Sequence, residues 1–143
     1  PRPLDVAAMN AVSATLVGQH DFATFGQPPQ GENTLRTVQA AVWEWVVESP
    51  PPLSDIAGSK LVFTITATAF LRQMVRSLVS SMLAVGRGEW TQAFFADAWA
   101  AADRNRSAAP AAPQGLVLEK VTYPEHLATL IFEKERRNAP FAG

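Results

Sequence analysis

Lys60-Leu61-Val62-Phe63-Thr64-Ile65-Thr66-Ala67-Thr68-Ala69-Phe70-Leu71-Arg72-Gln73-Met74-Val75-Arg76-Ser77-Leu78-Val79-Ser80-Ser81-Met82-Leu83-Ala84-Val85-Gly86-Arg87-Gly88 changes its apolar period midway. Residues 60–68 are rich in valine, isoleucine, threonine and phenylalanine, the side chains that suit a pleated surface, and predict a strand. From Leu71 onward, Leu71, Met74, Val75, Leu78, Met82 and Val85 recur every three to four residues, which predicts an amphipathic helix to about Val85. Gly86-Arg87-Gly88 stops it.

Working outward, Thr34 to Glu48 predicts one long strand. A period of two puts Leu35, Thr37, Gln39, Ala41, Trp43, Trp45 and Val47 on one face, and Arg36, Val38, Ala40, Val42, Glu44 and Val46 on the other. Pro50-Pro51-Pro52 ends it, and the stretch from Ser49 to Ser59 connects it to the next strand. Upstream, Asp5 can cap a helix to about Val17, with Val6, Met9, Val12 and Leu16 on one side and Gly18 as its stop. Gly26 to Asn33 holds too many breakers for an element and reads as a loop. Downstream, Thr91 can cap a helix from Gln92 to Asp103, followed by an Ala/Pro loop over 104–114 and a strand from Leu116 to Tyr123. Leu130-Ile131-Phe132 is expected to pair at a sheet edge, and the charged residues from Glu133 are expected to fray. This order predicts an α+β domain: a small, mainly antiparallel sheet with helices packed on one face.

Composition narrows the chemistry. The 143 residues fit a single domain. Cysteine is absent, which excludes disulfides, thiolate metal sites and cysteine nucleophiles. Two histidines, His20 and His126, are too few for an imidazole-built zinc site. No apolar run reaches the length needed to span a bilayer. The expected location is the cytoplasm, and no membrane partner is expected. The chain opens on Pro1 without a signal peptide, which leads us to expect a trimmed start or a piece of a longer protein. Twelve basic and thirteen acidic residues exclude a histone-like cationic protein, but a local basic patch could still bind phosphates.

Such a patch is present. Lys60 to Gly88 holds Lys60, Arg72, Arg76 and Arg87 and no acidic residue. On the helical wheel Arg72 and Arg76 are one turn apart, in line with Ser80 and Leu83, with no acid at helical spacing to neutralise them. A solvated face is one reading; an arginine waiting for a carboxylate or phosphate is the other. His20-Asp21 reads better as part of a turn anchored by Phe22 and Phe25 than as a catalytic pair, since adjacent residues rarely point at each other. Gly86-x-Gly88 follows a helix, not a strand, and reads as a helix stop. Trp43, Trp45, Trp90 and Trp99 could stack on bases, although core packing is the default.

Several segments together resemble the C-terminal half of the tRNA pseudouridine synthase A (TruA) family. They are Met9-Asn10; Val17-Gly18-Gln19-His20-Asp21-Phe22-Ala23-Thr24-Phe25; Asn33-Thr34-Leu35-Arg36-Thr37-Val38; Ala69 to Val79, closing with Val85-Gly86-Arg87-Gly88; and Ala112 to Leu118 with Val121-Thr122-Tyr123-Pro124. The resemblance implies an isomerase that converts uridine to pseudouridine at positions 38–40 of the tRNA anticodon stem-loop, without cofactor or metal. An aspartate nucleophile attacks a flipped-out uridine, whose base detaches, rotates and rejoins through carbon. Arg76 matches the arginine that pairs with that aspartate, Leu116 the apolar residue packed in the active site, and Gly115 its neighbour. The chain departs from the family pattern in places. It has no Arg-Thr-Asp-x-Gly-Val-His segment and no match to the tyrosine motif of the N-terminal half; Ser80 stands where glycine is usual; and the loop before Gly115 lacks Gly-Pro-Thr-Ala-Pro.

The expectation is therefore a C-terminal domain over 1–124, followed by a charged and flexible extension over 125–143. Its expected partners are the tRNA anticodon stem-loop, a missing N-terminal catalytic half and a second copy in a homodimer. Lys60, Arg72, Arg87, Arg104 and Arg106 are the expected RNA contacts. Two rivals stay open: a non-catalytic RNA-binding module, and a structural or dimerisation domain of the same fold.

Overall fold

The computed structural model describes residues 3–28, 31–47, 59–111, 116–122 and 125–132. Three helices, α1 (Val6–Thr15), α2 (Met74–Gly86) and α3 (Gln92–Ala100), accompany five strands. The strands are β1 (Gly18–Asp21), β2 (Leu35–Val47), β3 (Ser59–Ala67), β4 (Leu116–Thr122) and β5 (Glu125–Phe132). They form one antiparallel sheet in the order β1-β2-β3-β5-β4. The fold is α+β.

Local chemistry sets the helix starts. The Asp5 carboxylate accepts from the Ala8 amide at 2.9 Å, and the Thr91 hydroxyl from the Phe94 amide at 2.9 Å, each satisfying an otherwise bare first-turn N–H. The helices cover one face of the sheet. Met9 and Val12 of α1, Leu16 just after it, and Leu78, Val79 and Met82 of α2 are buried in one core with Trp43 of β2 and Leu61, Phe63 and Ile65 of β3. Trp43 and Phe63 face each other across the β2–β3 ladder with ring centroids 4.8 Å apart. On the other face Val42 and Val46 are exposed.

Asn10 satisfies the unpaired edge of β2 at Trp43. β1 pairs with β2 only as far as Val38, which leaves the backbone of Trp43 without a strand on that side. The Asn10 carboxamide takes the strand's place: its amide donates to the Trp43 carbonyl at 2.9 Å, and its oxygen accepts from the Trp43 N–H at 2.8 Å.

The structure corrects the sequence reading at several points. β2 does not keep one face. The register shifts between Val38 and Ala40, so Val38 is buried beside α1's end of the sheet while, further on, Trp43 is the buried residue. One extra residue in the strand reverses the alternation, and a strict period of two cannot reveal it. Residues 18–21, read as helix stop and turn, form β1, with Gly18 at φ 112°. Leu130-Ile131-Phe132 does not sit at an edge: β5 begins at Glu125 and lies between β3 and β4. Residues 125–132, assigned to a flexible extension, are therefore part of the sheet, and 133–143 lie outside the described residues. α3 ends at Ala100, three residues short of Asp103.

The start of α2 is the most consequential correction. Gln73 adopts φ 63°, a left-handed conformation that the helix cannot continue through. Ahead of it, Arg72 pairs backbone to backbone with Gln27, at 2.8 and 3.2 Å. Gly26 permits this approach, since a Cβ there would lie 2.5 Å from the Leu71 Cβ and 2.9 Å from the Arg72 carbonyl oxygen. Arg72 is therefore exposed and off the helix, and does not share a strip with Arg76.

Candidate active site

The polar strip of α2 consists of Arg76, Ser77, Ser80 and Ser81, at spacings of three and four residues, with Gln73 at the helix's N-cap. What it meets is the segment from Arg104 to Ala111. The Ser81 hydroxyl accepts from the Ala108 amide at 3.2 Å. The Ser80 hydroxyl donates to the Ala109 carbonyl. Arg76 Nε donates to the Ala111 carbonyl at 2.6 Å, and the Arg76 carbonyl accepts from the Ala111 amide at 3.1 Å. Ser77 accepts from Arg104 at 3.3 Å. The crossing segment thus gives partners to the buried Ser77 and Ser81 hydroxyls and to the half-exposed Ser80 hydroxyl.

Arg76 sits in the first turn of α2 and is half-buried. With Nε held by Ala111, its two terminal nitrogens form the end of the fork suited to bidentate pairing with a carboxylate. Among the described residues no carboxylate pairs with it. Leu116 opens β4, the edge strand, in register with Leu130, which in turn stands opposite Phe63. It lies five residue steps beyond Ala111, so it starts at most roughly 18 Å from that anchor. Gly115 lies outside the described residues.

The expected RNA contacts are spread over several elements. Lys60 lies near the start of β3, Arg72 before α2 and Arg87 just past its end. Arg104 and Arg106 are the first and last residues of a short 3-10 turn. Arg87 is exposed and pairs with Glu89 at 3.6 Å. The Arg106 guanidinium lies 5.7 Å from the centre of the exposed Phe94 ring. Arg104 is turned inward: Nη1 donates to the Thr24 carbonyl and the Ser77 hydroxyl, both at 3.3 Å, and Nη2 to Gln73 Oε1 at 3.1 Å.

His20 and Asp21 do not form a catalytic pair. The His20 ring packs edge-on against Trp99, 5.0 Å between centroids, with Nε2 at 2.9 Å from the Val17 carbonyl. The Asp21 carboxylate accepts from the Ala23 amide at 2.9 Å and the Thr34 hydroxyl at 2.6 Å, stapling the chain after β1 to the entry of β2. The tryptophans serve packing: Trp43 is buried, and Trp45, Trp90 and Trp99 are half-buried against the core. Sequence reasoning missed the roles of Ser80, Ser81 and residues 108–111. The available signal was a pair of serines inside an otherwise apolar helix, a polar strip that needs a partner.

A family model described as tRNA pseudouridine synthase matches residues 12–124. Over 85% of its length the chain is 39% identical to the tRNA pseudouridine synthase A of Bifidobacterium longum, and over 99% it is 37% identical to that of Streptomyces griseus. The corresponding protein of Myxococcus xanthus is 35% identical over 85% of the chain. The chain spans only 44%, 48% and 42% of these three relatives. With more than half of its length matched by the family model, the chain belongs to the tRNA pseudouridine synthase family.

Proposed function

We propose that the chain is the C-terminal half of a tRNA pseudouridine synthase that isomerises uridine at positions 38–40 of the anticodon stem-loop, with the nucleophilic aspartate supplied from outside this chain. The observation that carries this reading is Arg76: half-buried, oriented through Nε, and without a carboxylate among the described residues. In the reaction the aspartate attacks the flipped-out nucleotide at the ribose or the base, the base detaches and turns, and the C5 hydrogen leaves as the base rejoins through carbon. Arg76 holds the aspartate's charge and direction, and Leu116, with Gly115 beside it, packs near the target base. The enzyme so assembled is a cytoplasmic homodimer, as the family resemblance implies, and works without metal or cofactor. No helix among the described residues is long and apolar enough to cross a membrane.

The chain by itself is expected to be inactive, because it holds no segment matching the nucleophile motif. Release of tritium from tRNA carrying 5-tritiated uridine measures this directly. Turnover by the 143 residues alone would sink the proposal, and turnover that appears only when the aspartate-bearing half is added supports it.

Binding is expected to be weak and salt-dependent. Lys60, Arg72, Arg87, Arg104 and Arg106 are the proposed phosphate contacts, Arg104 the weakest candidate because its donors already face protein groups. If about three of them reach phosphates, log K falls against log salt with a slope on the order of −2 to −3. Anisotropy of a labelled anticodon stem-loop, titrated with the chain at several salt concentrations, gives the slope. Salt-independent affinity, or none at low salt, favours the structural-domain rival.

A further inference from the structure

We propose that residues 108–111 are a strap that positions Arg76, and that Ser80 is a positioning residue which holds the strap in place. This rests on reading Arg76 as the partner of the aspartate. Three side chains, Arg76, Ser80 and Ser81, bond in turn to Ala111, Ala109 and Ala108, so the strap runs along α2 for more than one helical turn. Its contact with Arg76 is reciprocal: the Ala111 carbonyl receives the Arg76 side chain while the Ala111 amide donates to the Arg76 backbone.

That reciprocity has a chemical consequence. A guanidinium on a flexible stem can offer a carboxylate either its Nε side or its terminal fork. The Ala111 carbonyl occupies Nε and so removes the first option, leaving the two terminal nitrogens to pair with a carboxylate. The carbonyl can do this only while the strap stays in register. Ser81 is fully buried, so its bond to Ala108 anchors the far end as part of the core. Ser80 is half-exposed and grips the middle, two residues before Ala111. Pro110 stands between the two anchors and limits backbone freedom there.

The test compares S80A, S80T and R76A in the chain assayed together with the aspartate-bearing half. Ser80 is half-exposed and alanine suits a helix, so S80A is expected to fold. Its kcat is expected to drop on the order of tenfold, because a small misplacement of an orienting group is costly in the transition state. Its KM for tRNA is expected to stay within about twofold, since no RNA contact is removed. S80T, which returns the hydroxyl, is expected to recover most of kcat. Amide exchange in the 143-residue chain supplies a readout independent of activity: S80A is expected to speed exchange at Ala111. Unchanged kcat in S80A, a loss wholly in KM, or unchanged exchange at Ala111 overturns the proposal. If R76A keeps its turnover, the Arg76 reading itself is wrong; if R76A is dead and S80A is normal, only the strap fails.

Discussion

Arg76→Ala is expected to abolish most turnover of the assembled enzyme while the chain stays folded. Arg76 is half-buried and, among the described residues, its side chain makes one hydrogen bond, to Ala111, so its removal is expected to leave the core intact. The aspartate it is proposed to face would lose its countercharge in a partly desolvated site. Leaving a partly buried charge unpaired costs on the order of 3–5 kcal/mol. Expressed in the transition state, that is roughly a hundred- to a thousandfold or more in rate. Steady-state tritium release, with circular dichroism to verify the fold, decides the matter. Arg72→Ala is the contrasting variant. Arg72 is exposed and ahead of the helix, so its loss is expected to weaken tRNA binding and leave kcat near the parent value. The reverse pattern would mean that the wrong arginine has been assigned.

Trp43→Ala is expected to cause a large loss of stability. The indole is buried against Phe63, and its N–H donates to the Met82 sulfur at 3.4 Å. Met82 also accepts from the buried Ser13 hydroxyl at 3.2 Å, so one sulfur ties β2, α1 and α2 together. Removing the indole leaves a cavity at the junction of all three elements. Large-to-alanine changes of this kind cost about 3–5 kcal/mol, a large share of the stability of an ordinary domain. Urea unfolding followed by the fluorescence of the remaining tryptophans measures it. A loss under about 1 kcal/mol would mean that the core is not organised around this residue.

The three helices and strands β2, β3 and β4 were legible in the sequence because local signals carry them, whereas β1 and most of β5 were not. The switch from strand to helical period between Lys60 and Val85 is a property of side-chain order, and so are the caps at Asp5 and Thr91. Arg76 was legible as an arginine without an acid at helical spacing, since that too is a local count. The motif resemblance added what the aspartate would be.

Four things required the tertiary structure. The bulge at Val38 and Ala40 depends on how β2 serves β1 on one side and β3 on the other, and an alternation rule has no term for an inserted residue. The place of β5 inside the sheet depends on pairing with β3, more than fifty residues away in sequence. Arg72 left the helix because Gln73 turns left-handed where Gly26 admits the chain, a contact between distant segments that overrides the helical period of Leu71 and Met74. The strap over Ser80 and Ser81 is decided in the same way. Two serines in a helix have no partner until the 108–111 segment crosses them, and that crossing joins residues about thirty positions apart. Periodicity, capping and charge spacing act within a turn or two of chain and are therefore written in the sequence. Face reversal, strand order and the orientation of Arg76 arise from contacts between segments that meet only when the chain is folded.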